Sequence, residues 1–332
     1  MPFAAIIGHQ AVIDLLRQAV ARGRVPQSLL LAGPAGVGKH ATAVALAQAV
    51  NCPARRQANG DEACGACATC RRIAAGTHSD VVELDRGDEA SIKIKALRDR
   101  VLQVVGYRPF EAERRVFIID PADDLTMEAQ DALLKTLEEP PPSTMLMLIS
   151  AYPDTLRPTI LSRCRRLRFG PLSEPDVARV LIERHRIDAA RARMLAAISG
   201  GSPARALAAD DEDLAADRDA ALSLLHAAAR PGVAGRLKAA AALAKHATDR
   251  RDRESLGLRL AVIESLLRDL VALHARPAAV VHTDLSRELH ALQSAFDPSR
   301  AVRAFDTIVE GQAALDRNAS PKIVADWVAV RL

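Results

Sequence analysis

The chain has 332 residues, of which 49% are apolar, 26% charged and 3% aromatic, with a formal net charge of +4. This length organises into two or three domains, and the mild charge neither demands nor excludes a nucleic-acid partner. No apolar run reaches the length of a membrane span, and Met1-Pro2-Phe3 starts no leader. The chain is therefore expected in the cytoplasm, where its five cysteines read as metal ligands or free thiols.

Apolar positions at helical spacing predict a helix from Ala11 to Arg22. Ser28 to Ala32 reads as a short buried strand, followed by a glycine-rich loop and a helix from Ala41 to Val50. A cysteine-rich excursion occupies Cys52 to Cys70. Further strands are expected at Asp80–Leu84, Arg115–Ile119 and Met145–Ser150, alternating with helices at Lys93–Val105 and Thr126–Glu139. Pro140, Pro141 and Pro142 stop the last helix, because proline lacks the amide proton and disfavours helix in the residue before it. Strands alternating with helices imply a parallel sheet covered on both faces. After Phe169 no further strand is expected. Glu174 to Ala208 reads as a small helical unit, Asp210 to Asp213 as a boundary, and Leu214 onward as alanine- and leucine-rich helices broken near Pro231, Pro277 and Pro298.

Gly33-Pro34-Ala35-Gly36-Val37-Gly38-Lys39-His40 matches G-x-x-x-x-G-K, with a strand before it and a helix after it. Gly33, Gly36 and Gly38 let the backbone wrap a phosphate, and Lys39 reaches the terminal phosphates. The next position normally supplies a hydroxyl to magnesium. His40 offers an imidazole nitrogen, a poor ligand for a hard ion. Val116 to Asp120 is an apolar strand ending in an acid that could hold magnesium through water. The following residue, an acid in an active hydrolase of this type, is Pro121. Asp123 and Asp124 read as solvated turn residues. Two independent defects predict slow or absent hydrolysis, and leave ATP or ADP binding open.

Cys52, Cys64, Cys67 and Cys70 give C-x11-C-x2-C-x2-C, four sulfurs suited to tetrahedral structural zinc. An iron–sulfur cluster fits less well, since nothing else suggests electron transfer. A DNA-reading finger lacks its recognition helix.

With these motifs in hand, Ala132-Leu133-Leu134-Lys135-Thr136-Leu137-Glu138-Glu139-Pro140-Pro141 and Leu161-Ser162-Arg163-Cys164 complete a pattern that resembles the bacterial DNA polymerase III clamp loader, of the AAA+ class. The resemblance covers most of residues 1–208. It implies an α/β P-loop AAA+ domain with a parallel sheet at 1–170 carrying a zinc-binding insertion at 52–70, a helical lid at 171–209, and an all-α collar at 210–332 that joins subunits in a ring. With His40 and Pro121 where motor subunits carry Thr or Ser and Glu, the chain resembles the delta-prime type, a relative thought inactive as a hydrolase. The pattern implies that Arg163 projects into a neighbour's nucleotide site as an arginine finger, a role that suits an always-charged guanidinium. It places Ser150 as a first sensor, Arg205 as a second, and Ile7-Gly8-His9-Gln10 near an adenine.

Implied partners are tau/gamma motor subunits, a delta subunit, and the sliding clamp and primer-template DNA within the assembly, with no membrane. Two alternatives stay open: an active tau/gamma-type ATPase with an unusual loop, and a zinc-stapled nucleic-acid-binding relative. Arg98, Arg100, Arg114 and Arg115 could approach DNA but read more simply as a solvated face. His246, His274, His282 and His290 lack shared metal-ligand spacing and read as surface or packing residues.

Overall fold

The structure, a computed structural model, describes residues 2–332 apart from 58–59, 88, 90, 212–213, 245–249 and 317–318. His246 and the acidic pair 212–213 lie outside the described residues. The chain divides into two compact units, Met1–Asp176 and Val177–Leu332.

The first unit holds α1 (Gln10–Ala21), β1 (Ser28–Ala32), α2 (Lys39–Asn51), α3 (Pro53–Gln57), α4 (Ala68–Ala74), β2 (Val81–Leu84), α5 (Ile94–Leu97), β3 (Arg115–Ile119), α6 (Met127–Glu138), β4 (Thr144–Ser150), α7 (Pro158–Leu161) and β5 (Arg165–Arg168). The strands form one sheet in the order β2-β3-β4-β1-β5, and every pairing is parallel. Central strands of such a sheet bury both faces, so they read as continuous apolar runs. Accordingly, Leu29 and Leu31 of β1 join a core with α1 and α2, while Leu30 packs in the opposite core with Leu133, Leu137 and Ile160 of α6 and α7. Leu29, Leu30 and Leu31 are each at most 1% exposed, and full burial of such a side chain is worth about 2 kcal/mol.

Two local features depart from the sequence reading. β5 was not expected. Its residues are Arg165, Arg166, Leu167 and Arg168, and only Leu167 is buried. Charged side chains on an edge strand hide the apolar signal while discouraging edge-to-edge association. The helix expected over Lys93–Val105 is regular only through α5. Arg98–Leu102 is a wider π turn, with Gln103 N donating to Arg98 O at 3.0 Å.

Among its described residues, the second unit has only helices as regular elements. It comprises the greater part of α8 (Glu174–His185), then α9 (Ala189–Ile198), α10 (Pro203–Asp211), α11 (Leu214–Ala228), α12 (Val233–Leu243), α13 (Arg250–Ala275), α14 (Ser286–Gln293), α15 (Pro298–Asp316) and α16 (Pro321–Arg331). Leu256, Leu260, Ile263, Leu267 and Leu270 line one face of α13 and are fully buried. Gly311 lets α15 approach closely: a Cβ there would lie 2.9 Å from Val328 of α16. His282 is buried, where Asp269 accepts from its Nδ1 at 2.8 Å and from its backbone N–H at 2.9 Å. No described helix is long and apolar enough to cross a membrane.

Candidate functional site

The register of the sheet assembles the site. Ala32 pairs with Ser150, so β1 and β4 end side by side, and Gly33 N donates to Ser150 O at 3.1 Å. Ligands of parallel α/β sheets bind beyond these carboxyl ends. Gly33 has a φ of 152°, and a Cβ there would lie 2.0 Å from the Phe169 carbonyl oxygen, so only glycine fits. Gly36 and Gly38 take φ values of 74° and 104°, and Lys39 opens α2.

Lys39 is 5% exposed, and its Nζ donates to Gly33 O at 2.5 Å and Pro34 O at 2.6 Å. Burial lowers its pKa, against the opposing pull of Asp120 and Asp123. His40 Nε2 lies 3.1 Å from Glu83 Oε2 on β2. Asp120 follows β3. Burial raises its pKa, opposed by the nearby His40 and Lys39. His9 sits beside the loop, with Nε2 2.9 Å from Val37 O and its ring edge-on to Phe169 at 4.8 Å. Burial lowers the pKa of His9.

Asp123 is no solvated turn residue. It accepts from Ser150 Oγ at 2.5 Å, Ala151 N at 2.6 Å and Tyr152 N at 3.3 Å, bracing the end of β4. Asp124 pairs with Arg86 at 3.1 Å. Gly33, Gly36, Gly38, Lys39, His40, Asp120 and Ser150 thus share one region of the first unit. Arg205 belongs to the second unit, near the start of α10, where its N–H donates to Ser202 Oγ at 3.3 Å.

The four cysteines converge: the sulfurs of Cys52, Cys64, Cys67 and Cys70 all lie within 4.8 Å of one another. A tetrahedral ion with metal–sulfur bonds of about 2.3 Å needs sulfurs about 3.8 Å apart, so a small contraction suffices. Backbone amides already point at three of the sulfurs: Arg55 N and Cys64 N to Cys52, Cys67 N to Cys64, and Cys70 N to Cys67, at 3.3–3.4 Å. The amides of Cys67 and Ala66 lower the Cys64 thiol to about 6, whereas burial pushes Cys70 up. Glu62 ties the segment to the body of the unit through Arg17 at 2.6 Å.

Arg163 follows α7, a third exposed in its side chain. The buried Gln130 of α6 fixes the entry to α7, accepting from Arg157 N at 2.9 Å. Cys164, the next residue, is buried, and burial raises its thiol to about 12. Arg163 Nη2 donates to Glu138 Oε1 at 2.5 Å, and Nη1 donates to Thr159 O at 3.0 Å and Ser162 Oγ at 3.3 Å.

The basic residues read as a solvated face divide. Arg115 is only 13% exposed in its side chain and pairs with the buried Asp80 at 3.0 Å. Arg114 donates to Val25 O at 3.1 Å. Sequence reasoning misread Asp123 as a turn residue and gave no role to Asp80, Glu83 or Glu138. Each is an ordinary acid in the sequence, and only the fold supplies its partner.

The family described as DNA polymerase III, delta subunit, matches residues 8–173. The tau subunit of DNA polymerase III from Bacillus subtilis is 34% identical over 176 residues, 53% of this chain and 30% of that protein. The delta-prime subunit from the same organism is 36% identical over 185 residues, 56% of this chain and 54% of that protein. Each match thus spans less than two thirds of the relative's length. Among solved structures, a DNA polymerase III gamma subunit-related protein from Thermotoga maritima aligns with 96% of this chain and 97% of its own. Its TM-score is 0.38 and its identity 15%.

Proposed function

The chain belongs to the family described as DNA polymerase III, delta subunit, and from that membership we propose that it is a ring subunit of a sliding-clamp loader. Its own nucleotide site does not hydrolyse ATP, and its Arg163 acts in trans at the site of a neighbouring tau/gamma-type ATPase subunit. One observation carries the first half. The side chains at the positions that would handle magnesium and water are engaged within the chain: His40 on Glu83, and Ser150 on Asp123. Pro121 stands where an acid would orient the attacking water. The loop amides and Lys39 still suit a phosphate, so the site keeps the means to hold ATP or ADP and lacks those for turnover.

Arg163 supports the second half. It is partly exposed at the end of a short helix braced by Gln130, and its charge is permanent. A guanidinium stabilises charge building on a transferring phosphoryl group in a site it enters from outside. Cys52, Cys64, Cys67 and Cys70 hold a structural zinc, since all four positions of a tetrahedral ion are filled by protein sulfur. Residues 171–209 serve as a lid and 210–332 as the collar that joins a delta subunit and the motor subunits, with clamp and primer-template DNA bound by the whole assembly.

The 34% identity to a tau subunit favours a second reading, an active motor. His40 and Pro121 weigh against it. Magnesium-dependent ATP turnover by the purified chain decides between them. The inactive reading expects none above background, and turnover that disappears in Lys39→Ala would overturn it.

A further inference from the structure

The proposed role of Arg163 needs its guanidinium held at a fixed height and plane above the subunit surface. The structure contains a device for this. α6 ends at Glu138, and Pro140–Pro142 prevent the helix from continuing. The last side chain of the helix is thereby placed beside the turn after α7. Glu138 Oε1 accepts from Arg163 Nη2 at 2.5 Å, and Thr159 O accepts from Nη1 at 3.0 Å. One terminal nitrogen is thus fixed by a carboxylate and the other by a backbone carbonyl. Two such anchors define the plane of the guanidinium, and the side chain keeps a third of its surface open.

We propose that Glu138 is the positioning residue for Arg163, orienting the guanidinium for the neighbour's nucleotide before the two subunits meet. The inference rests on the reading of Arg163 as a trans-acting residue. Glu138 is itself half exposed, so the pair adds little to folding stability. Its effect lies in orientation. A guanidinium free to sample several rotamers must be ordered during each reaction, which raises the barrier without changing how tightly the neighbour holds ATP.

The test is a double-mutant cycle in the reconstituted loader, using Glu138→Ala, Glu138→Gln, Arg163→Ala and the double variant, with ATP turnover measured against ATP concentration. Glu138→Ala should lower kcat by about 5-fold, the ceiling that an exposed ion pair supports, with KM for ATP unchanged. Gln retains an acceptor oxygen and should recover part of the loss. The double variant should match Arg163→Ala alone, because Glu138 acts only through the arginine. Wild-type kcat in Glu138→Ala, or a further loss when it is added to Arg163→Ala, overturns the inference while leaving the role of Arg163 intact. A rise in kcat overturns it too, by showing that Glu138 restrains the arginine. Unchanged turnover in Arg163→Ala removes the underlying reading itself.

Discussion

Asp80 is the buried charge whose removal has the most calculable consequence. Its side chain is fully buried just before β2. One oxygen accepts from Phe110 N at 2.8 Å and Arg115 Nη2 at 3.0 Å, and the other from Glu111 N at 2.9 Å and Ala112 N at 3.0 Å. Burial alone would raise its pKa, but the three amides and Arg115 outweigh it and bring the group from 3.8 to about 2. That depression corresponds to about 2 kcal/mol of stability. Because the folded-state pKa is lowered, this contribution is complete above about pH 4 and is lost as pH falls through about 2. Asp80→Asn turns an NH2 group toward backbone amides and leaves Arg115 without its counter-charge, so the total loss at pH 7 should be about 3 kcal/mol. The single tryptophan, Trp327, lies in the second unit and does not report on this region. Hydrogen exchange at the amides of residues 110–112 does. These amides should exchange about 100-fold faster in Asp80→Asn at pH 7, with the corresponding stability difference shrinking as pH approaches 2. A difference under about 1 kcal/mol, or one independent of pH, would refute the reasoning.

Other predictions concern the four-cysteine segment, the loop and the second unit. Elemental analysis should find one zinc per chain, and Cys64→Ser or Cys67→Ser should abolish it; full zinc content in both variants would remove the four-sulfur assignment. Gly33→Ala places a Cβ 2.0 Å from Phe169 O and should cost about 3 kcal/mol or more, read as a lowered thermal midpoint. An unchanged midpoint would mean the loop adapts freely. Burial would raise the pKa of Asp269, but hydrogen bonds from the His282 side chain and backbone and from Val281 N lower it instead. Asp269→Asn should therefore destabilise the second unit by about 2 kcal/mol at pH 7, monitored by Trp327 fluorescence, and by less as pH falls below about 4. A loss that stays constant across that range would exclude the ionised carboxylate as its source.

The features visible in the sequence were those with short-range or periodic signatures. β1, β3 and β4 are continuous apolar runs because both faces are covered, and the glycine loop and the four cysteines announce themselves by spacing. β5 escaped because an edge strand of three arginines and one leucine has no apolar pattern. The paired acids escaped for another reason. Asp123 meets Ser150 across 27 residues, Glu138 meets Arg163 across 25, and His40 meets Glu83 across 43. Such partners are set by strand order and register, which no local pattern records. His40 and Pro121 were legible as departures from the residue types that the G-x-x-x-x-G-K loop and the apolar strand before Asp120 lead one to expect. That Lys39, His40 and Ser150 are all engaged within the chain became visible only in the fold.

Under the proposed function, Arg163 serves the active site of a neighbouring subunit. ATP turnover by a reconstituted clamp loader, carrying either the wild-type chain or Arg163→Ala, tests it most directly. Assembly should be equal in both, by sedimentation or mass photometry. With Arg163→Ala, turnover should fall by about 10-fold or more, beyond the loss expected of Glu138→Ala, while KM for ATP holds, as expected for loss of an arginine that acts only in the transition state. Equal turnover in two equally assembled complexes would contradict the account.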